Sequence, residues 1–308
     1  MGDGSKVAVV GSYVVGYTMK TARAPERGET VEGSDFAELH GGKGSNQAVQ
    51  CARLGTSVSL VASIAADPAG DRAMELYRTE GIDTSGVTRN QLMSSGAAFI
   101  IVEESGENLI SVDSGSNRAL LPTDVENQKQ LLSNSRVVLT QMEIPAETAM
   151  AAMRVGRESG TTTILNPAPY QHIEDGWENV DIVTPNETEA RLITGKPPNQ
   201  PAEPALLARS IMDKGVGSVV LTLGAAGAFV MSPSFTGLVP GRKVSAIDTT
   251  GAGDAFAGAL ATATAEGRDL ESAVKFAVVA ASLAVTKYGV IASLPFRNDV
   301  DQATSGVL

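Results

Sequence analysis

Apolar positions along the chain fall into runs of two kinds. Residues 7–10, 58–62, 137–140, 162–165, 181–184 and 219–222 form short, nearly continuous apolar stretches, which predict buried strands. Between them lie longer segments at helical spacing: about 45–54, 71–80 and 146–159, one starting near Glu187, and 202–214. Gly55, Gly81, Gly160 and Gly215 follow these segments, where a helix stop needs a left-handed turn. Residues 97–102 and 108–112 flank a charged turn and predict a hairpin outside the main core; 30–39 alternates in part. Residues 228–231 predict a second hairpin with 219–222, and the last helix is read from about Leu270 to Lys287, with Gly289 beyond it.

Strands alternating with helices over this length predict an α/β fold with a mostly parallel sheet and helices on both faces. In such sheets ligands sit beyond the carboxyl ends of the strands. Glu143, Asn166, Asn186, the loop at Gly224 and Asp254 are all read as following strands, which groups them at one end.

Composition narrows the function classes. With 308 residues, 43% of them hydrophobic, the chain can bury the core of one large α/β domain or two small ones. A formal net charge of −11 disfavours nucleic acid and anionic membrane as partners. No apolar run has the ~18–20 residues of a membrane span. The stretch 7–15, broken by Gly11 and Ser12, reads as a first strand rather than an export signal, so a cytoplasmic protein is expected. The single cysteine, Cys51, excludes an internal disulfide, and His40 and His172 form no zinc-ligand cluster. Gly11 and Gly16 lack the dinucleotide fingerprint, so a nicotinamide cofactor is not supported.

The candidate chemistry centres on Asp248 to Gly258, read as a strand end turning over glycines into a helix. Free amides and the helix dipole there favour an anion. Asp254, in the first turn, has the chemistry to take a proton from a hydroxyl while the amides of that helix start hold a phosphoryl group. An acid that merely complements the dipole explains the same residues equally well. A second glycine-rich helix start, His40 to Asn46, is not a Walker loop, because Gly44 follows Lys43. It is either an ordinary tight turn or a loop where backbone and Asn46 meet a polyol. Asn186 and Glu189 have capping-box spacing, and 222–227 can be a plain hairpin turn.

Taken together, these motifs resemble the ribokinase-like (PfkB) family of carbohydrate kinases. The matching residues are Gly41-Gly42-Lys43-Gly44-Ser45-Asn46-Gln47-Ala48, Asn166-Pro167-Ala168-Pro169 and Asn186-Glu187-Thr188-Glu189. They continue with Thr222-Leu223-Gly224 to Gly227, Asp248 to Asp254, and Ala284-Val285-Thr286-Lys287 with Gly289. They stand in family order over nearly the whole length. The resemblance implies one Rossmann-like α/β domain over 1–308 with a small β-sheet lid from about 13–39 and 95–113, and a homodimer formed through that lid. It implies ATP-dependent transfer to a sugar alcohol, with Asp254 as general base and Gly251, Ala252 and Gly253 as anion hole. Gly41, Gly42, Lys43, Asn46, Glu143 and Asp254 would meet the substrate. Asn186 and Glu189 would help place Mg²⁺ and the phosphates. Thr222, Leu223, Gly224, Ala225, Ala226 and Gly227, with Gly253, would line the nucleotide. Asp248, Thr250, Ala284, Lys287, Gly289 and Ser293 would surround K⁺, several through carbonyls.

One departure stands out. The family carries an Asn and an Asp for sugar hydroxyls where this chain has Val14 and Gly16. Losing those bonds costs on the order of several kcal/mol for ribose. Val14 and Tyr17 are expected to make a more apolar pocket, suited to a deoxy or otherwise altered sugar. The alternatives are a nucleoside or deoxysugar kinase of the same fold, or a sugar- or nucleotide-binding protein without turnover.

Overall fold

The computed structural model describes residues 6–197 and 199–306. Among them, nine strands form one sheet in the order β13-β12-β11-β10-β9-β8-β1-β4-β5. These are β1 (Lys6–Val10), β4 (Ser57–Ala65), β5 (Asp83–Asn90), β8 (Val137–Gln141), β9 (Thr162–Asn166), β10 (Ile182–Val183), β11 (Ser218–Thr222), β12 (Gly227–Met231) and β13 (Thr236–Pro240). All neighbours from β5 to β11 pair in parallel; β12 and β13 fold back antiparallel at one edge. A second sheet has the order β3-β2-β6-β7, built from β2 (Val14–Thr21), β3 (Gly33–Gly41), β6 (Gly96–Glu103) and β7 (Asn108–Asp113).

Central strands buried on both faces explain the continuous apolar runs. Along β1 the faces alternate: Val7 and Val9 join one core, Ala8 and Val10 the other. The first core is covered by α1 (Lys43–Arg53), α2 (Pro68–Thr79), α8 (Ala252–Ala265) and α9 (Leu270–Ala284). The second is covered by α3 (Pro122–Asn127), α4 (Lys129–Ser133), α5 (Ala146–Glu158), α6 (Glu187–Ile193) and α7 (Pro204–Met212). The chain closes with α10 (Arg297–Ser305). Fully buried side chains such as Leu60, Leu139 and Met153 each contribute roughly 1.5–3 kcal/mol relative to exposure. Among the described residues no helix is long and apolar enough to cross a membrane.

Several boundaries differ from the sequence reading. The helix begun at Ser45 starts at Lys43, and the one begun at Asp71 starts at Pro68, because Asp67 accepts the Gly70 amide as N-cap. The helix expected to reach Lys287 ends at Ala284, and it is not the last, since α10 follows. The edge strands β5 and β13 were not expected; their half-polar sequences lack an apolar run. Asp254 does not follow a strand: β13 ends at Pro240, and the ten residues between Pro240 and Gly251 are irregular.

Candidate active site

Two helix starts meet at the carboxyl end of the parallel strands. The first belongs to α1. Its N-cap, Gly42, has φ 90°, and a Cβ there would lie 2.7 Å from the Val14 amide nitrogen, so glycine satisfies both the turn and the contact. The second belongs to α8, whose N-cap Gly251 has φ 81°. The two helices pack closely because Gly258 has no side chain: a Cβ there would fall 2.7 Å from Gln50 Cβ. Cys51 Sγ lies 3.2 Å from the Gly258 carbonyl at the same contact, and burial pushes that thiol up to about 12, so it is a structural group.

This packing brings residues 208 apart in sequence into contact. Asn46 Nδ2 donates to Asp254 Oδ2 at 2.8 Å, and Gln47 Nε2 donates to Asp254 Oδ1 at 2.9 Å. Asp254 is only 5% exposed, and both of its oxygens are held. Asn46 Oδ1 is buried without a partner among the described residues. Glu143 Oε2 accepts from Ser12 Oγ at 2.6 Å and from the Lys43 amide at 2.8 Å. Burial raises the Glu143 carboxyl above its ordinary value, despite its Ser12 and Lys43 partners. Burial lowers Lys43, but the Asp254, Glu143 and Glu189 carboxylates outweigh it and leave the ammonium raised. The site is therefore cationic at Lys43 between three acids.

At the start of α8 the Ala252 amide donates to the Thr249 carbonyl at 3.2 Å. The Gly251, Gly253 and Asp254 amides have no backbone partner among the described residues, and Gly253 is exposed. Of the three amides expected to hold an anion, Ala252 is thus partly engaged. Asp254's own amide, which sequence reasoning passed over, stands beside the other two.

Asn186 caps α6, accepting the Glu189 amide at 2.8 Å. Glu189 returns both oxygens, to the Asn186 amide at 2.8 Å and to Asn186 Nδ2 at 2.9 Å. Burial raises the Glu189 carboxyl against these bonds. Asn186 pairs with Thr222 in an isolated parallel bridge, which sets the 222–227 turn beside α6. Leu223 closes that turn onto the Gly227 carbonyl, while Gly224, Ala225 and Ala226 stay exposed.

Asp248 Oδ1 accepts the Thr250 amide at 2.9 Å and Oδ2 the Gly289 amide at 3.1 Å. Burial raises this carboxyl, but these bonds outweigh it and hold it below its ordinary value. The Val285 carbonyl, one residue past Ala284, accepts from Ile247 and Asp248, so Asp248, Thr250 and Gly289 meet the end of α9. The Lys287 amide donates to the Ala284 carbonyl, and the Ser293 hydroxyl is bound to the Val290 carbonyl. These donors are hard oxygens, chemically suited to K⁺. For Mg²⁺, among the described residues no cluster of three or more Asp, Glu, His or Cys could hold a metal. With both Glu189 oxygens occupied, the residues fit an ion bound mainly through water and phosphates.

Val14 and Gly16 lie on β2 opposite Gly41 and Leu39, and beside Gly96 and Ala98 on β6. Tyr17 was expected to share a pocket wall with Val14. It projects to the other face of this sheet, where its ring stacks at 5.4 Å on Phe99 and 6.3 Å on Phe36. Sequence reasoning missed Ser12, Gln47 and Gln141. A signal existed for Gln47: from Gly44 to Ala52 the chain carries no charge, so no charged face marks a side of this helix for solvent.

Residues 5–297 match the pfkB family of carbohydrate kinases. The chain is 36% identical to a ribokinase from Haemophilus influenzae over 294 residues, 95% of this chain and 96% of that one. It is 35% identical to a deoxyribokinase from Salmonella typhi over 291 residues, 94% and 95% of the two chains. The structure of Arabidopsis thaliana ribokinase complexed with ribose and ATP superposes with a TM-score of 0.90 at 28% identity, covering 97% of this chain and 98% of that one.

Proposed function

The chain belongs to the pfkB family of carbohydrate kinases, and from that premise we propose that it transfers the γ-phosphoryl group of ATP to a hydroxyl of a ribose-related sugar, with Asp254 as general base. The observation that carries this reading is the Asp254 carboxylate itself. It is buried, gripped on both oxygens by Asn46 and Gln47, and set one residue from the accessible Gly253 amide.

In the proposed step the acceptor hydroxyl donates its proton to Asp254. Its oxygen forms the new bond to the γ-phosphorus as the bond to the bridging oxygen of ADP breaks. Amides of Gly251, Gly253 and Asp254 receive the transferring oxygens, with Ala252 contributing only what its bond to Thr249 leaves. Lys43 supplies positive charge between the acids. Asn46 Oδ1, lacking a partner, accepts from a second sugar hydroxyl. The turn 222–227 and Asn186 line the nucleotide. Mg²⁺ bound through water near Asn186 and Glu189 would neutralise phosphate charge, and K⁺ near Asp248, Thr250 and Gly289 would stabilise the start of α8. The β3-β2-β6-β7 sheet serves as a lid on a single domain, and lids pair in a homodimer.

The acceptor side departs from plain ribose recognition. Val14 and Gly16 offer no polar side chain, and their sheet neighbours on the same face are Ala98 and Ile100. This favours a sugar lacking or masking a hydroxyl on the lid side, such as 2-deoxyribose. A panel of ribose, 2-deoxyribose, hexoses and nucleosides assayed for ADP release, with and without K⁺, tests the reading. Release with one of the sugars supports it. Tight sugar or ATP binding without release across the panel would point to a binding protein.

A further inference from the structure

Asp254 is the end of a buried chain of amides that reaches the last residues of β8 and β9. Gln47 uses both protons of its Nε2 group, one to Asp254 Oδ1 at 2.9 Å and one to Asn166 Oδ1 at 3.0 Å. Asn166 in turn donates to the Thr184 carbonyl at 3.1 Å. Gln47 Oε1 accepts from Gln141 Nε2 at 2.7 Å. Gln47 and Gln141 are 0% and 1% exposed, so water cannot substitute for these partners without entering the core.

The direction of the chain follows from its end. A carboxylate can only accept, so Gln47 must turn its NH₂ group toward Asp254. Its carbonyl then faces Gln141, which must present its own NH₂ group. That leaves Gln141 Oε1 pointing away, buried and unpartnered among the described residues. Room for it exists because residue 11 is glycine: a Cβ there would lie 2.3 Å from Gln141 Oε1. An unpaired buried oxygen costs roughly 1–3 kcal/mol. An arrangement that keeps this cost while giving Gln47 a fixed orientation suggests that the orientation has a use.

We propose that Gln47, locked by Gln141, is the positioning residue that holds the Asp254 carboxylate at its working angle. The inference rests on Asp254 acting as the base. Asn46 secures one oxygen, and Gln47 secures the other. With both held, the carboxylate cannot rotate, and its remaining lone pairs stay aimed at the acceptor hydroxyl. Gln141 does not hydrogen-bond to Asp254, so an effect of Gln141 on turnover that disappears once Gln47 is replaced passes through Gln47.

The test is a double-mutant cycle of Gln47→Met and Gln141→Met with steady-state kinetics and melting curves. Expected are losses in kcat of about 10-fold or more for Gln47→Met and about 3-fold or more for Gln141→Met, with KM for ATP and for the sugar within about twofold. Adding Gln141→Met to Gln47→Met should slow turnover no further. A merely structural pair would lower the melting temperature and spare kcat measured well below it. Gln141→Met with unchanged kcat, or losses that multiply in the double variant, overturns the proposal. If Gln47→Met does not fold, the kcat-selective loss in Gln141→Met decides alone. Asp254→Asn in parallel separates the two readings. Its inactivity beside a normal Gln141→Met would sink the positioning role and leave the base intact, whereas an active Asp254→Asn would sink both.

Discussion

Asn46 and Asp254 meet across 2.8 Å at the junction of α1 and α8, each one turn or less inside its helix. Asn46 gives Asp254 a proton donor and keeps its own oxygen unpartnered beside it. The same side chain thus orients the base and offers an acceptor to a sugar hydroxyl. Asn46→Leu removes both. The expected result is a fall in kcat/KM for the sugar of about 10- to 100-fold, on the scale of one or two hydrogen bonds to charged groups, with the ATP-induced rise in melting temperature retained. A variant with wild-type kcat/KM would place the acceptor elsewhere.

Gly16 lies on β2 beside Ala98, where the proposed acceptor site meets the small sheet. A Cβ there would meet the Leu39 carbonyl at 3.7 Å and Ile100 Cδ1 at 3.8 Å, which is ordinary contact. A Cβ therefore fits there without a close contact. Gly16→Asp is expected to raise the ratio of kcat/KM for ribose over 2-deoxyribose by about 10-fold or more, as a restored hydroxyl partner would. An unchanged ratio in a folded variant would show that β2 does not line the acceptor site.

His40, on β3, packs against Tyr13, which stands just before β2. Its Nδ1 lies 3.1 Å from the Tyr13 hydroxyl, and burial, aided by the Arg72 charge, lowers its pKa below the ordinary value. A histidine depressed in the folded state binds more protons when unfolded. Its contribution to stability is present above about pH 6.5 and is lost as pH falls through the folded-state value. Between pH 7.5 and 5 the wild type should therefore lose more melting temperature than His40→Gln. Equal losses in the two proteins would remove His40 from the acid response.

The alternating pattern was legible because central parallel strands, buried on both faces, must read as apolar runs, as Val7 to Val10 does. The helix stops were legible because Gly55, Gly81, Gly160 and Gly215 all have positive φ. Edge strands were not: β5, Asp83–Asn90, is mostly polar because one of its sides faces solvent. The helix start that carries Asp254 was legible from its glycines, although no strand leads into it. Gln47, Gln141 and Ser12 were harder to find. A buried amide or hydroxyl looks like a surface one until the fold supplies its partners, here from residues 94 and 131 positions away. Tyr17 failed for a different reason: it stands three residues along the strand from Val14, an odd step that turns the two side chains to opposite faces.

The proposed transfer depends on Asp254 taking the proton of the acceptor hydroxyl. Asp254→Asn keeps the size of the side chain and removes its basicity. Measuring ADP release with the best sugar of the panel, alongside the melting-temperature shift given by ATP, tests this directly. Turnover should fall by ~10²-fold or more with the ATP shift preserved. Turnover near the wild-type rate would contradict it.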